Sequence, residues 1–302
     1  MLEKLYNNRY LALAAVAIEI YCEHLQAMSY MRDSTKPSGD NWNSDAKDAF
    51  DGLKKLALRL SDSNYMVLFV LSTVLIGLSF GLYIALADRL HAANKTAGSK
   101  LTPCIWLVEH VIFGIGFVPL IAQFAQTQFC NSSNNLKAKT DIDCFKTDQL
   151  TMMEFGFIFT GIALIIAGVI LPVFKTERRG VEAGSANECY FPGLYKINIV
   201  GVVMLLSWIK LPEVGIYTTI ALIVYLLVRV CYADPVVACL RSSVLFGQLW
   251  VFSAAVAADD DGSTASHMLY AWPAFLAVGA AAMAARVLLI KPRYKVNPIE
   301  KN

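Results

Sequence analysis

Charge is what this chain has least of. Charged residues fill 17% of its 302 positions, where an ordinary soluble domain has about 25%. Its 26 basic and 24 acidic residues leave a formal net charge of +2, so there is no basic excess to attract nucleic acid. With 18 glycines and 10 prolines the chain is not dominated by linkers or disorder. HExxH, GxSxG and P-loop patterns are missing, and no enzyme is expected. The four histidines, at 24, 91, 110 and 267, have no paired spacing, and the cysteines no CxxC or CxxH spacing, so no metal site is expected. The first apolar stretch starts at Tyr10 without a small-residue cleavage site and runs too long for a signal peptide.

What is present is apolar. Hydrophobic residues make up 56% of the chain and the mean hydropathy is +0.50, an excess that has no home in water. The expected class is all-α, a polytopic transmembrane helical bundle. Apolar runs long enough to cross a bilayer, about 20 residues each, fall at 10–31, 64–87, 103–128, 150–174, 190–210, 213–233, 236–257 and 268–290. Prolines at Leu211-Pro212-Glu213 and Tyr232-Ala233-Asp234-Pro235 end one helix and open the next.

Basic residues set the expected orientation, because cytoplasmic loops retain Lys and Arg. Lys4 and Arg9 precede the first span, Arg89, Lys95 and Lys100 follow the second, Lys175, Arg178 and Arg179 the fourth, and Lys291, Arg293 and Lys295 the eighth. With the N-terminus inside, all fall on one side, and both termini are cytoplasmic. The protein is then an integral multi-pass component of the plasma membrane or an endomembrane. The first outer loop, 32–63, carries basic residues too, but matched by Asp33, Asp40, Asp45, Asp48, Asp51 and Asp62. Within it Phe50, Leu53, Leu56, Ala57 and Leu60 recur at helical spacing, an amphipathic segment that caps the bundle or lies on the membrane. Cys130 and Cys144 bracket a polar loop placed outside, where a disulfide is expected. Asn131-Ser132-Ser133 there, and Asn94-Lys95-Thr96 inside, are glycosylation sequons.

Ionisable groups inside spans are expensive, roughly 2.5–3.5 kcal/mol on insertion scales, and usually face the bundle interior. Glu19, Glu23 and Gln26 recur at i, i+4, i+7 in the first span with His24 beside them. Glu109, Gly116 and Gln123 share a face of an ideal third helix, with His110 adjacent, and Arg241 and Gln248 share one in the seventh, with Ser242 adjacent. Two readings stand: a proton or ion path or ligand cavity, and a structural network that locks helix register. Glu154, Lys196, Lys210, Glu213, Arg229 and Arg286 lie near span ends or alone, and no chemistry is expected of them.

These polar spans resemble a known family. Trp106-Leu107-Val108-Glu109-His110, followed by Leu120-Ile121-Ala122-Gln123, is similar to the third helix of heliorhodopsins, which carries the retinal counterion. Gly77-Leu78-Ser79 and His24-Leu25-Gln26 resemble segments of the family's second and first helices, and the stretch from Arg241 to Trp250 its retinal-binding seventh helix. The resemblance covers residues 1–258, a seven-helix rhodopsin-like core including loop 32–63; residues 259–302 add an eighth transmembrane helix and a cytoplasmic tail. It implies a lysine in the seventh helix, yet that position is Ser242, and no lysine occurs between Lys210 and Lys291. Serine has no amine and the neighbouring Arg241 guanidinium is not nucleophilic, so covalent retinal is not expected. Glu109 stands at the counterion position, and Arg241 becomes the replacement cation.

The expected function is a non-enzymatic scaffold, sensor or accessory subunit, a heliorhodopsin-like protein without covalent retinal. The alternatives are a proton or small-ion channel using Glu19, Glu23, His24 and Glu109, and a receptor or carrier that holds retinal or lipid non-covalently. Expected partners are the lipid bilayer and a homo-oligomer or membrane-protein complex. The small residues from Gly279 to Ala285 permit close helix contact, either with the seventh helix or with another copy.

Overall fold

The computed structural model describes residues 9–30, 44–57, 63–85, 108–130, 133–136, 138–173, 186–187, 190–204, 211–229, 231–232, 234–260 and 262–289. Both glycosylation sequons, and the inner-loop basic clusters that orient the chain, fall wholly or mainly outside these residues.

The fold is mostly helical: α1 Arg9–Met28, α2 Ser44–Leu56, α3 Ser63–Ala85, α4 Val108–Ile115 and α5 Phe117–Ala125. Strands β1 Asn135–Leu136 and β2 Lys139–Asp143 follow, then α6 Thr147–Ile165, α7 Tyr190–Met204, α8 Pro212–Val228, α9 Pro235–Asp260, α10 Gly262–Tyr270 and α11 Trp272–Leu289. Among the described residues α1, α3, α6 with its continuation to Val173, α9 and α11 are long and apolar enough to cross a membrane, and α4 with α5 makes a sixth if the pair is one bent span. α8, at 17 residues, and α7, at 15, fall short of that length. Lipid-type exposure supports the assignment: Val67, Val70, Leu71, Val74 and Leu78 of α3 are exposed apolar residues, as expected of a helix that is hydrophobic all round.

α9 is the central post, packed against α1, α8, α10 and α11. Its seam with α11 needs glycine. A Cβ at Gly279 would stand 2.6 Å from Ser242 O, and one at Gly247 2.6 Å from Leu276 Cδ2, so the small residues of α11 serve at least this internal contact. Trp250 of α9 stacks on Phe275 with ring centroids 3.9 Å apart, and Arg286 Nε donates to Leu227 O at 2.7 Å, occupying a carbonyl at the end of α8.

One end of the bundle is closed by local devices. α2 buries Ala46 and Phe50 against α1 and its Leu56 O accepts from Gln26 Nε2 at 3.2 Å, so the amphipathic segment is a cap. The loop between α5 and α6 forms an antiparallel hairpin, which its polar sequence does not announce. The Cys130–Cys144 disulfide closes it. Cys144 N–H donates to Asn134 O at 2.7 Å, Asn134 turning the chain at φ 59. Gln149 Nε2 donates to Thr127 O at 2.9 Å and ties the start of α6 to the end of the α5 segment.

Candidate functional site

Burying a charge is tolerable only where opposite charges and hydrogen bonds replace water. Among the described residues the bundle does this most fully around Glu19 and Glu23. Glu23, 0% exposed, accepts from Lys196 Nζ at Oε1 and from Arg241 Nη1 at Oε2, 3.3 Å away. Glu19 Oε2 meets His110 Nδ1, while its Oε1 lies 3.5 Å from Arg241 Nη2 and 3.8 Å from Lys196 Nζ. Four helices thus contribute one cluster: two carboxylates from α1, one cation each from α7 and α9, and an imidazole from α4. Aromatic faces complete the cation shell, with Lys196 Nζ 4.9 Å from the Phe117 ring centre and Arg241 Cζ 4.2 Å from that of Tyr195.

Backbone irregularity makes the space. Val111–Ile115 is a π turn, followed by a 41° bend into α5, the kind of break that accumulates at functional sites. There Phe113 O accepts from Lys196 Nζ at 2.6 Å. Gly114 is required beside it, since a Cβ would stand 2.6 Å from Glu19 Cγ. A second π turn, Ile166–Ile170, continues α6. Between the two turns lies a pocket lined by Glu19, Glu109, Phe113, Ala167, Lys196 and Arg241 among others, with room for about one water molecule.

Several sequence expectations need revision. Lys196 reads as isolated on sequence, whereas it is a buried hub touching both carboxylates. The π turn and bend break the phase that an ideal helix would give Glu109, Gly116 and Gln123. Glu109 faces the pocket, while Gln123 Nε2 bonds Pro119 O at 3.2 Å and Gln123 O accepts from Tyr65 OH at 3.1 Å. His24 is docked elsewhere: its Nε2 accepts from Trp272 Nε1 at 3.2 Å and the rings stack at 5.6 Å, so the ring proton is on Nδ1. Ser242 is buried with its carbonyl against Gly279 of α11. Gln248 is buried, with no hydrogen bond from its amide among the described residues. Arg241, expected as the replacement cation for Glu109, bonds Glu19 and Glu23 of the first-span stripe and shares the pocket lining with Glu109.

No protein-family model, curated protein or solved structure matches the chain.

Proposed function

We propose that the chain is an eight-span, heliorhodopsin-like membrane protein that works without covalent retinal, as a non-enzymatic sensor, scaffold or accessory subunit with both termini cytoplasmic. Apolar residues flank α7 and α8 in the sequence, as an eight-span reading requires. The observation that carries it is the Glu19, Glu23, Lys196 and Arg241 cluster. Glu19 and Glu23 already pair with the chain's own cations, and Glu109, at the counterion position, lines a pocket with room for about one water molecule, too little for a chromophore. Such a core couples four helices, which suits a protein that acts through helix arrangement and partners. Adding all-trans retinal to the purified protein is expected to give no visible absorbance band. A band that survives denaturation and bleaches with hydroxylamine would overturn the proposal.

The proton or small-ion conductor has one observation in its favour, the His110 and Glu19 contact beside the water-sized pocket at Glu109. Proteoliposomes showing a pH-driven flux that falls in Glu109→Gln would support it; no flux in the wild type would remove it. A receptor or carrier for retinal or lipid needs about 300 Å³ or more of space, so the pocket would have to open well beyond one water.

A further inference from the structure

At the end of the bundle where α1 and α9 begin, arginines join the helices. Arg9 of α1 meets Asp234 before α9 at 2.9 Å, and Asp234 also accepts from Val236 N–H at 2.9 Å. Arg286, near the end of α11, reaches the end of α8, where its Nε–H goes to Leu227 O at 2.7 Å and an Nη2 proton to Val228 O at 3.3 Å. Those two bonds fix the guanidinium plane and use two of its five donors. Arg229 stands next to Val228, exposed where α8 stops. Asp234 is taken by Arg9, and among the described residues neither Arg229 nor Arg286 pairs with a carboxylate. α8 and α11 both pack on α9 but hardly on each other, so Arg286 bridges two helices that otherwise part. Both expose apolar side chains to their surroundings, Tyr217, Val224 and Val228 on α8 and Val278, Leu288 and Leu289 on α11.

We propose that Arg229 and Arg286 bind the headgroup of an anionic phospholipid whose acyl chains lie along the exposed apolar residues of α8 and α11. The inference rests on the membrane reading of the bundle and is independent of retinal. A guanidinium offers paired N–H groups that match two phosphate oxygens, and one already held by two backbone carbonyls loses little freedom when it binds a third acceptor. Depth agrees with a lipid. Leu288 and Leu289 follow Arg286 and are largely exposed, which places the guanidinium within a turn of apolar surface, where acyl chains give way to phosphates. A soluble anion would make no use of that flank. Sign agrees as well, since two cations without a protein carboxylate favour a lipid of net negative charge over a zwitterionic one. The proposed orientation turns this end to the cytoplasmic leaflet, where anionic lipids concentrate. The sequence beyond α11 has the same sign, with Lys291, Arg293 and Lys295 before the next acidic residue, Glu300. The bound lipid then holds α11 to α8 at the end where their own contact is thinnest.

The test uses the full chain, stripped of lipid in mild detergent, and native mass spectrometry with phosphatidylserine or phosphatidylcholine added. Phosphatidylserine is expected to stay on as a discrete adduct, bound about fivefold tighter than phosphatidylcholine or better, the equivalent of about 1 kcal/mol for one arginine near an anionic lipid. Arg286→Gln and Arg229→Gln should each weaken phosphatidylserine by about the same factor. Lys139→Gln, on the hairpin at the other end of the bundle, should change nothing. If Arg286→Gln does not fold for want of its bonds to α8, Arg229→Gln decides alone. Glycerophosphoserine, the same headgroup without chains, should not displace the lipid at equal concentration; displacement would mean a site for a soluble phosphate and would overturn the proposal. Equal retention of the two lipids, undiminished phosphatidylserine binding in the arginine variants, or an equal loss in Lys139→Gln would overturn it too. A chain that stays soluble without detergent would refute the membrane reading itself, in a separate measurement.

Discussion

The two regions that hold this bundle together do so by opposite means. At one end, a disulfide, a hairpin and backbone hydrogen bonds join residues within about one loop of each other, as Cys130 with Cys144 or Gln149 with Thr127. In the cluster, Glu23 meets Lys196 and Arg241 across 173 and 218 positions of sequence. Local closure restrains the unfolded chain as well as the folded one. Long-range charge pairing exists only once the helices have assembled, and it penalises any arrangement that leaves one partner buried alone. The first region therefore tethers neighbouring elements whatever the helix arrangement, and the second sets which helix arrangement is allowed.

The largest expected effect breaks the second region alone. Arg241→Met leaves two buried carboxylates facing one lysine and should lower unfolding stability by about 3–5 kcal/mol, measured by denaturant titration in a fixed detergent. Loss of the disulfide in Cys130→Ala with Cys144→Ala, a loop of sequence separation 14, should lower it by about 3 kcal/mol. Adding only a methyl to the seam in Gly279→Ala, where a Cβ meets Ser242 O at 2.6 Å, should cost about 1–3 kcal/mol. At the exposed hairpin, Asp143→Asn should have the smallest effect, a slight loss of stability seen near neutral pH. The Asp143 hydrogen bond and charge hold the Lys146 ammonium above its ordinary range. A raised lysine pKa contributes its stability below the unfolded value and loses it as pH climbs through the folded one, so any difference between variant and wild type is present at neutral pH and disappears in alkaline solution.

Legibility in the sequence divides along the same line. The carboxylate stripe was readable because Glu19 and Glu23 stand one turn apart in a regular helix, and the disulfide because its cysteines bracket a polar loop. Arg241 stood out as a lone cation in a long apolar run. Lys196 did not, since it lies six residues into α7 and a long side chain there could equally reach the helix end. Its signal was the imbalance: two glutamates in the first span with one arginine in the seventh require a second cation. The face expected of Glu109, Gly116 and Gln123 failed because the count assumed 3.6 residues per turn through a π turn and a 41° bend. The hairpin strands are short and polar, without the apolar alternation that marks a strand.

A double-mutant cycle on Glu23→Gln and Lys196→Met tests the central claim, that paired charges close this core, most directly. Each single variant strands a buried charge, while the double variant strands none from this pair. The account predicts a coupling of about 2 kcal/mol or more between the two sites, with the double variant more stable than at least one single variant. Additive losses within about 0.5 kcal/mol would contradict it.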